Sequence, residues 1–264
     1  METKAPSTDI FQAKDAKLPT GWIEQFTDEF FQSHGTGIHL ARNQIKIFDI
    51  NGQSLNIKKY CIPPVVNRFI YSLGIRRPKA KTTFVNALEI RRRGFNTPQP
   101  YGYMIKRRGG LINYSYFFSE QLIGVKRIEH HCTDKKLIAA VARFTADLHE
   151  KGLLHIDYTA HNILYREENG KYTFYLVDIN RFKFRDGPWP VSAVLSNLMK
   201  PFENDEMLTY FVQEYATCRG ADPNIVKKVL RWRHFRNLYN KVKRQSKKIP
   251  GANLLLNKPL SKKK

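Results

Sequence analysis

The sequence predicts an α+β fold in two lobes, an antiparallel sheet in the first and mainly helices in the second. Three observations carry this. The runs Ile38–Leu40, Gln44–Ile50 and Gln53–Tyr60 are short and rich in strand formers, and Asn51-Gly52 between the last two is the strongest short-range signal for a hairpin turn. A helix-spaced segment containing Phe84, Val85, Leu88 and Ile90 separates that meander from two further strand-like runs. Beyond residue 122 most of the apolar spacing is helical.

The elements follow in order. Residues 1–22 are polar and weakly patterned and read as a loosely ordered arm; 23–122 form the first lobe, 123–243 the second, and 244–264 a basic tail. Pro63 and Pro64 stop the meander, and Val65–Leu73 reads as a short apolar helix ahead of Gly74 and the cations Arg76, Arg77, Lys79 and Lys81. Thr82–Arg93 reads as a buried helix closed by Gly94. Strands follow at Tyr101–Lys106 and Asn113–Leu122, turning through Arg107-Arg108-Gly109-Gly110. The aromatic run Tyr114, Tyr116, Phe117 and Phe118 is strand core in this reading. Lys135–Lys151 puts Leu137, Ala140, Val141, Phe144 and Leu148 on one helical face and stops at Gly152. A second hairpin, Asn162–Tyr165 with Lys171–Val177, turns through Glu167–Gly170, and helices continue to about Lys243.

Composition narrows the partners. A chain of 264 residues with 42% hydrophobic content can bury a real core. Its 45 lysines and arginines against 23 acidic residues give a net charge of +22, which suits an anionic substrate or surface. Those cations follow no RNP-like or helix-turn-helix pattern, so nucleic acid is not the expected partner. Cys61, Cys132 and Cys218 are odd in number and form no CxxC pair, against a disulfide framework or a structural zinc and in favour of a reducing cytoplasm. The first residues carry charge where a signal peptide is apolar, and no uncharged run reaches the roughly 18 residues a bilayer span needs. Any membrane contact is therefore expected to be peripheral, and the chain a monomer.

The chemistry is concentrated in His155-Ile156-Asp157-Tyr158-Thr159-Ala160-His161-Asn162, followed by the apolar strand that delivers Asp178. This His-x-Asp-x-x-x-x-Asn loop and its later Asp resemble the catalytic and metal-binding layout of kinases. Phosphoryl transfer asks for a carboxylate that orients an attacking hydroxyl and takes its proton, the role read for Asp157. It asks also for hard oxygen ligands for Mg2+, which Asn162 and Asp178 supply as an amide and a carboxylate. Lys58, between Ile57 and Lys59 in the second strand of the hairpin, is the candidate grip on the phosphates of ATP, with Lys59 taking its place if the register slips by one. Glu89 is the carboxylate on the following helix that could pair with it. The backbones of Glu120 and Leu122 fall where a hinge would meet adenine. Gly35-Thr36-Gly37 reads as a phosphate loop or as an ordinary turn. His149, His155 and His161 surround Asp157 in sequence without zinc spacing, His155 having a structural part in the loop, and His130-His131-Cys132 reads as surface.

With these residues in place the chain resembles the lipopolysaccharide kinases that phosphorylate Kdo or heptose sugars, in their Bacteroides-type form. The resemblance is carried by Ala41-Arg42-Asn43, Lys58, Lys79-Ala80, Phe84 with Asn86-Ala87-Leu88, Thr97-Pro98 and Pro100, Leu148 to Gly152, Asp157 to Asn162, and Tyr175 to Arg181. It implies a two-lobed protein-kinase-like fold, ATP with Mg2+, and transfer to a sugar hydroxyl of the lipopolysaccharide inner core at the cytoplasmic face of the membrane. An anionic lipid-linked sugar then suits the basic charge, with Arg76, Arg77, Arg91 and Arg92 available to it or to the membrane surface, at about 1 kcal/mol each near an anionic bilayer. Val85 stands where the helix glutamate is expected, leaving Glu89 one turn on. Ile156 precedes Asp157 in place of an arginine, and Ala-Pro-Glu is absent, so activation-loop regulation is not expected. A protein or small-molecule acceptor, or a pseudokinase binding module, are the alternatives.

Overall fold

The structure is a computed structural model that describes residues 8–16, 18–40, 43–61, 71 and 76–246. The first lobe is a six-stranded antiparallel sheet: β1 (Thr8–Gln12), β2 (Thr36–Leu40), β3 (Gln44–Ile50), β4 (Gln53–Tyr60), β5 (Pro100–Arg108) and β6 (Leu111–Glu120), in the order β1-β5-β6-β4-β3-β2. Short helices α1 (Trp22–Gln25) and α2 (Asp28–Ser33) cover one face and α3 (Lys79–Arg92) the other. The two faces follow from strand alternation. Leu55 and Ile57 of β4 with Tyr116 and Phe118 of β6 pack against Ile23, Phe26 and Phe31. Tyr60 and Phe117, one residue out of step, pack with Ala80 and Phe84 of α3. The β3–β4 turn puts Asn51 at φ 53° and Gly52 at φ 77°, the doubly positive pair a tight hairpin requires.

The arm expected over 1–22 is corrected from residue 8 onward. Thr8–Gln12 pairs antiparallel with β5, Phe11 opposite Tyr103 and Gln12 opposite Gly102. Gly102 makes this possible, because a Cβ there would lie 2.2 Å from the Phe11 carbonyl oxygen. Gln12 locks the next turn, its side chain donating to Pro19 O and accepting from Ile23 N–H. The expected helix at Val65–Leu73 lies outside the described residues apart from Tyr71, as do Ala41-Arg42, the first seven residues and those after Ser246.

The second lobe has two small sheets and four helices among the described residues. β7 (Lys126–Arg127), β9 (Ile163–Glu168) and β10 (Lys171–Leu176) form one sheet, and β8 (Leu153–His155) pairs with β11 (Phe182–Phe184). The helices are α4 (Lys135–Glu150), α5 (Val191–Leu198), α6 (Asp205–Arg219) and α7 (Ile225–Ser246), so the helical register runs three residues into the expected tail. Asp134 caps α4 by accepting from Lys136 and Leu137 N–H, satisfying donors the first turn leaves open. The buried face of α4, with Leu137, Val141 and Leu148, joins Phe211, Val212 and Tyr215 of α6 in the main core. Gly152 ends α4 at φ 75°, where a Cβ would sit 2.1 Å from Arg185 O, so the chain can enter β8 at this close approach only with glycine.

Candidate active site

The site is assembled where the two lobes meet. In β4, Asn56, Lys58 and Tyr60 share one face and Leu55, Ile57 and Lys59 the other, because successive strand side chains alternate. That parity decides between the two lysines. Lys58 points into the interlobe cleft, 14% exposed, with Nζ 2.7 Å from Asp178 Oδ1 and 5.3 Å from the centre of the Tyr60 ring. Lys59 sits on the α2 face, donating to Asp28 beside Tyr116. Burial works against the Lys58 ammonium, but Tyr60 and Asp178 outweigh it and raise its pKa above the ordinary lysine value. Burial likewise pushes the Asp178 carboxyl up, and Lys58 outweighs that and leaves it lowered. Both groups are therefore ionised at neutral pH.

Asp178 is held from several directions. It takes φ 52°, a left-handed conformation uncommon outside glycine. The strand before it is clamped by the α3–β5 loop of the first lobe, with Leu176 N–H donating to Asn96 O at 2.9 Å and Thr97 Oγ1 to Leu176 O at 2.8 Å. Val177 N–H donates to Asn162 O at 3.0 Å, and the buried Asn86 of α3 donates Nδ2 to Ile179 O at 2.7 Å. One helix of the first lobe and one loop of the second thus fix the same turn.

The loop carrying Asp157 is built around His155, which is 1% exposed. Asp157 N–H donates to Nδ1 at 3.1 Å, so the ring proton is on Nε2, which donates to Val177 O at 3.0 Å. Burial holds this imidazole neutral, its pKa lowered to about 4. Asn162 donates Nδ2 to Asp157 O at 2.9 Å, committing its nitrogen to the loop and leaving oxygen as the amide's other polar atom. Arg181 reaches back, its guanidinium 3.0 Å from Asp157 Oδ2. Behind His155 a buried chain continues: Asn197 Nδ2 donates to His155 O, His149 Nε2 to Asn197 Oδ1 at 3.1 Å, and Tyr215 O–H to His149 Nδ1 at 2.9 Å. His149 is lowered to about 3, again by burial. His161 is exposed and meets Glu129, and among the described residues no three His, Cys, Asp or Glu side chains come together as a metal-holding group.

The cleft beside Lys58 encloses about 350 Å3. Ile45 and Leu164 line it along with Phe117, and Glu120, Gln121 and Leu122 form its edge. Glu120 N–H donates to Gln99 O at 2.9 Å, and its carboxylate accepts from Gln99 N–H at 3.2 Å. The structure corrects Glu89. On α3 Thr83 lines the cleft and Asn86 reaches Ile179 O, while Glu89 binds Arg92 at 2.7 Å and Arg93 at 2.6 Å. Those guanidiniums, one and the same turn away, hold its pKa near 2 against the opposing effect of burial. Of Gly35-Thr36-Gly37, Gly35 forms the bend before β2 and Thr36 and Gly37 begin that strand, paired with Ile47 and Lys46; a Cβ at Gly35 would fall 2.7 Å from Phe48.

Motif spacing assigns nothing to Arg181, Asn197 or Lys200, because each acts through a backbone or carboxylate brought close only by folding. Lys200 donates to Ile156 O, next to Asp157.

Residues 48–207 match the model described as the lipopolysaccharide kinase (Kdo/WaaP) family. No curated protein matches the chain. Among solved structures, WaaP in complex with acyl carrier protein aligns with TM-score 0.57 at 15% identity, covering 86% of this chain and 97% of that one. The Rio2 kinase of Chaetomium thermophilum, solved as its ADP/Mg2+-phosphoaspartate complex, aligns with TM-score 0.48 at 15% identity over 91% of this chain and 82% of that one. The WaaP likeness gives the two lobes a protein-kinase-like fold, and with the family model spanning β4 to β6, the Asp157 loop and Asp178, the chain belongs to the lipopolysaccharide kinase (Kdo/WaaP) family and is a kinase.

Proposed function

We propose that the chain transfers a phosphoryl group from ATP to a hydroxyl of a Kdo or heptose sugar in the lipopolysaccharide inner core, at the cytoplasmic face of the membrane. The observation that supports this best is the single turn where Lys58 meets Asp178 and where Val177 and Asn162 are bonded to one another.

The donor set suits Mg2+ and ATP. Asp178 offers a carboxylate and Asn162 an amide oxygen, hard ligands appropriate to magnesium, and Lys58 a buried cation for phosphate oxygens. Bound there, Mg2+-ATP supplies the reactive phosphoryl group and neutralises its charge. Ile45 and Leu164 would give the adenine apolar walls, and the backbones of Glu120 and Leu122 would meet its polar edge, the N–H of Glu120 being committed to Gln99. Asp157 orients the acceptor hydroxyl and takes its proton as the oxygen attacks. His155 fixes that carboxylate by accepting the Asp157 N–H, and Arg181 holds the side chain until an acceptor competes for it.

Peripheral attachment falls to α7. From Ile225 to Ser246 it has no acidic residue, and Trp232, Phe235, Tyr239 and Val242, spaced along one stripe, are each more than half exposed among its lysines and arginines. An apolar stripe within a basic helix suits the surface of an anionic bilayer. No helix among the described residues is long and apolar enough to cross one.

The direct test is labelled ATP with purified chain and, separately, Kdo-lipid A and heptosylated acceptors. Label on the sugar, absent with Asp157→Asn, is expected. Nucleotide binding with transfer to neither sugar class would replace this reading with that of a pseudokinase.

A further inference from the structure

A second cavity, of about 230 Å3, opens beside the catalytic loop and shares no wall with the nucleotide cleft. Asp157, Thr159, Lys200, Phe202, Arg233 and Arg236 line it. Its charge is unbalanced. Arg233 is occupied, with Nε 3.3 Å from Asp205 Oδ1 and a guanidinium N–H donating to Phe202 O at 2.6 Å, which anchors α7. Asp157 is occupied by Arg181. Among the described residues no carboxylate lies within ion-pairing distance of Lys200 or Arg236, and the one other acid on the wall, the exposed Glu203, pairs with neither. Burial and then the nearby Arg236 lower the Lys200 pKa. Two unneutralised cations sharing a partly desolvated cavity repel one another, and an anion entering it relieves both at once.

We propose that Lys200 and Arg236 form an acceptor subsite that binds an anionic group, a carboxylate or a phosphate monoester, on the molecule whose hydroxyl faces Asp157. The subsite rests on the kinase reading of Asp157 and adds to it a requirement on the acceptor: a negative charge within one sugar ring of the hydroxyl that is phosphorylated. Lys200 reads position as well as charge, since it is tethered to Ile156 O in the loop itself. Arg236 comes from α7, so the helix proposed to meet the bilayer also closes over the acceptor. The cations expected from sequence to hold the acceptor are elsewhere: Arg91 donates to Thr97 O at 3.0 Å, Arg92 binds Glu89, and Arg76 lies 5.6 Å from the centre of the Tyr71 ring.

Isothermal titration of the full chain tests this with four probes: Kdo, its methyl ester, glucose 6-phosphate and glucose, with ADP titrated in parallel. One charged sugar is expected to bind at least about tenfold tighter than its neutral counterpart. Preference for Kdo over its ester makes the recognised group a carboxylate, and preference for glucose 6-phosphate over glucose makes it a phosphate. Arg236→Ala, on the exposed side of α7, and Lys200→Met should each remove the preference and leave ADP binding intact, with Arg236→Lys retaining part of it. The proposal is overturned if neither charged sugar outbinds its neutral partner, or if Arg236→Ala binds them as the wild type does. Failure of the wild type to bind ADP would instead count against the kinase reading, so the two outcomes stay distinct.

Discussion

Lys58 Nζ lies 2.7 Å from Asp178 Oδ1, joining the strand of the first lobe to the turn of the second without a helix glutamate between them. In this chain α3 presents Thr83 to the cleft and contributes through the hydrogen bond from Asn86 to Ile179 O, not through a carboxylate. The turn at Asp178 is therefore tied to α3 by a neutral backbone contact and to β4 by an ion pair.

Replacing Lys58 with Met is expected to lower kcat/KM by about 10²-fold or more, the scale for losing one preorganised cation at developing charge. Asp178 is 41% exposed, so the stability cost of breaking the pair stays small. Lys59→Met should do the reverse: full turnover, with about 1 kcal/mol of stability lost from the Asp28 contact. Steady-state kinetics beside urea midpoints separates them, and equal kinetic effects of the two would contradict the strand parity.

Glu89→Gln should leave turnover within a few-fold of wild type and cost less than about 1 kcal/mol, because its partners are Arg92 in the last turn of its own helix and Arg93 just after it. A tenfold or greater fall in kcat with unchanged stability would return Glu89 to the site.

Asp157→Asn keeps the loop geometry, since the N–H to His155 bond is main chain. It should lower kcat by about 10²–10⁴-fold while ADP affinity holds. A variant retaining most of its kcat would exclude Asp157 as the base.

Acid should weaken the fold through its buried histidines. His155 and His149 have pKa values of about 4 and about 3, against 6.5 for the ordinary ring. The unfolded chain therefore binds protons that the folded chain refuses. Stability is complete above pH 6.5 and falls as pH drops below it, by about 1.4 kcal/mol per unit and per histidine, levelling off near the folded values. His149→Phe should lose about 1–3 kcal/mol at pH 7 by orphaning Tyr215 and Asn197, and show a shallower acid slope. Urea titrations at pH 7 and 5 read both effects; identical midpoints in the wild type would refute the neutral buried rings.

Trp232→Ser with Phe235→Ser should abolish sedimentation with phosphatidylglycerol vesicles and leave ADP binding unchanged. Wild-type binding should weaken with salt and be slight on phosphatidylcholine alone. Equal binding to both lipids, or an unaffected double variant, would remove α7 from the membrane surface.

Where the chemistry is local, the residues announce it. The Asn51-Gly52 hairpin, the glycine stop after α4 and the spacing of Asp157, Asn162 and Asp178 each depend on a few neighbouring residues, and periodicity alone separates the faces of β4. Strand β1 escaped because five half-polar residues carry too little pattern; it is specified by its partner, through the missing Cβ of Gly102. Glu89 and Lys58 share a plausible spacing, yet helix rotation turns the carboxylate to the arginines beside it.

The sequence by itself determined the two-lobed architecture, the β3–β4 hairpin and the loop that bears Asp157, because these rest on alternation, helical period and turn chemistry, all short-range. Only the tertiary structure decided which cation meets Asp178, how Tyr215, His149, Asn197 and His155 form one buried chain, and that Lys200 and Arg236 converge beside Asp157. Those relations join residues tens of positions apart, and what selects them is burial: a polar group taken out of water must find its partner wherever the packing of the lobes has placed one.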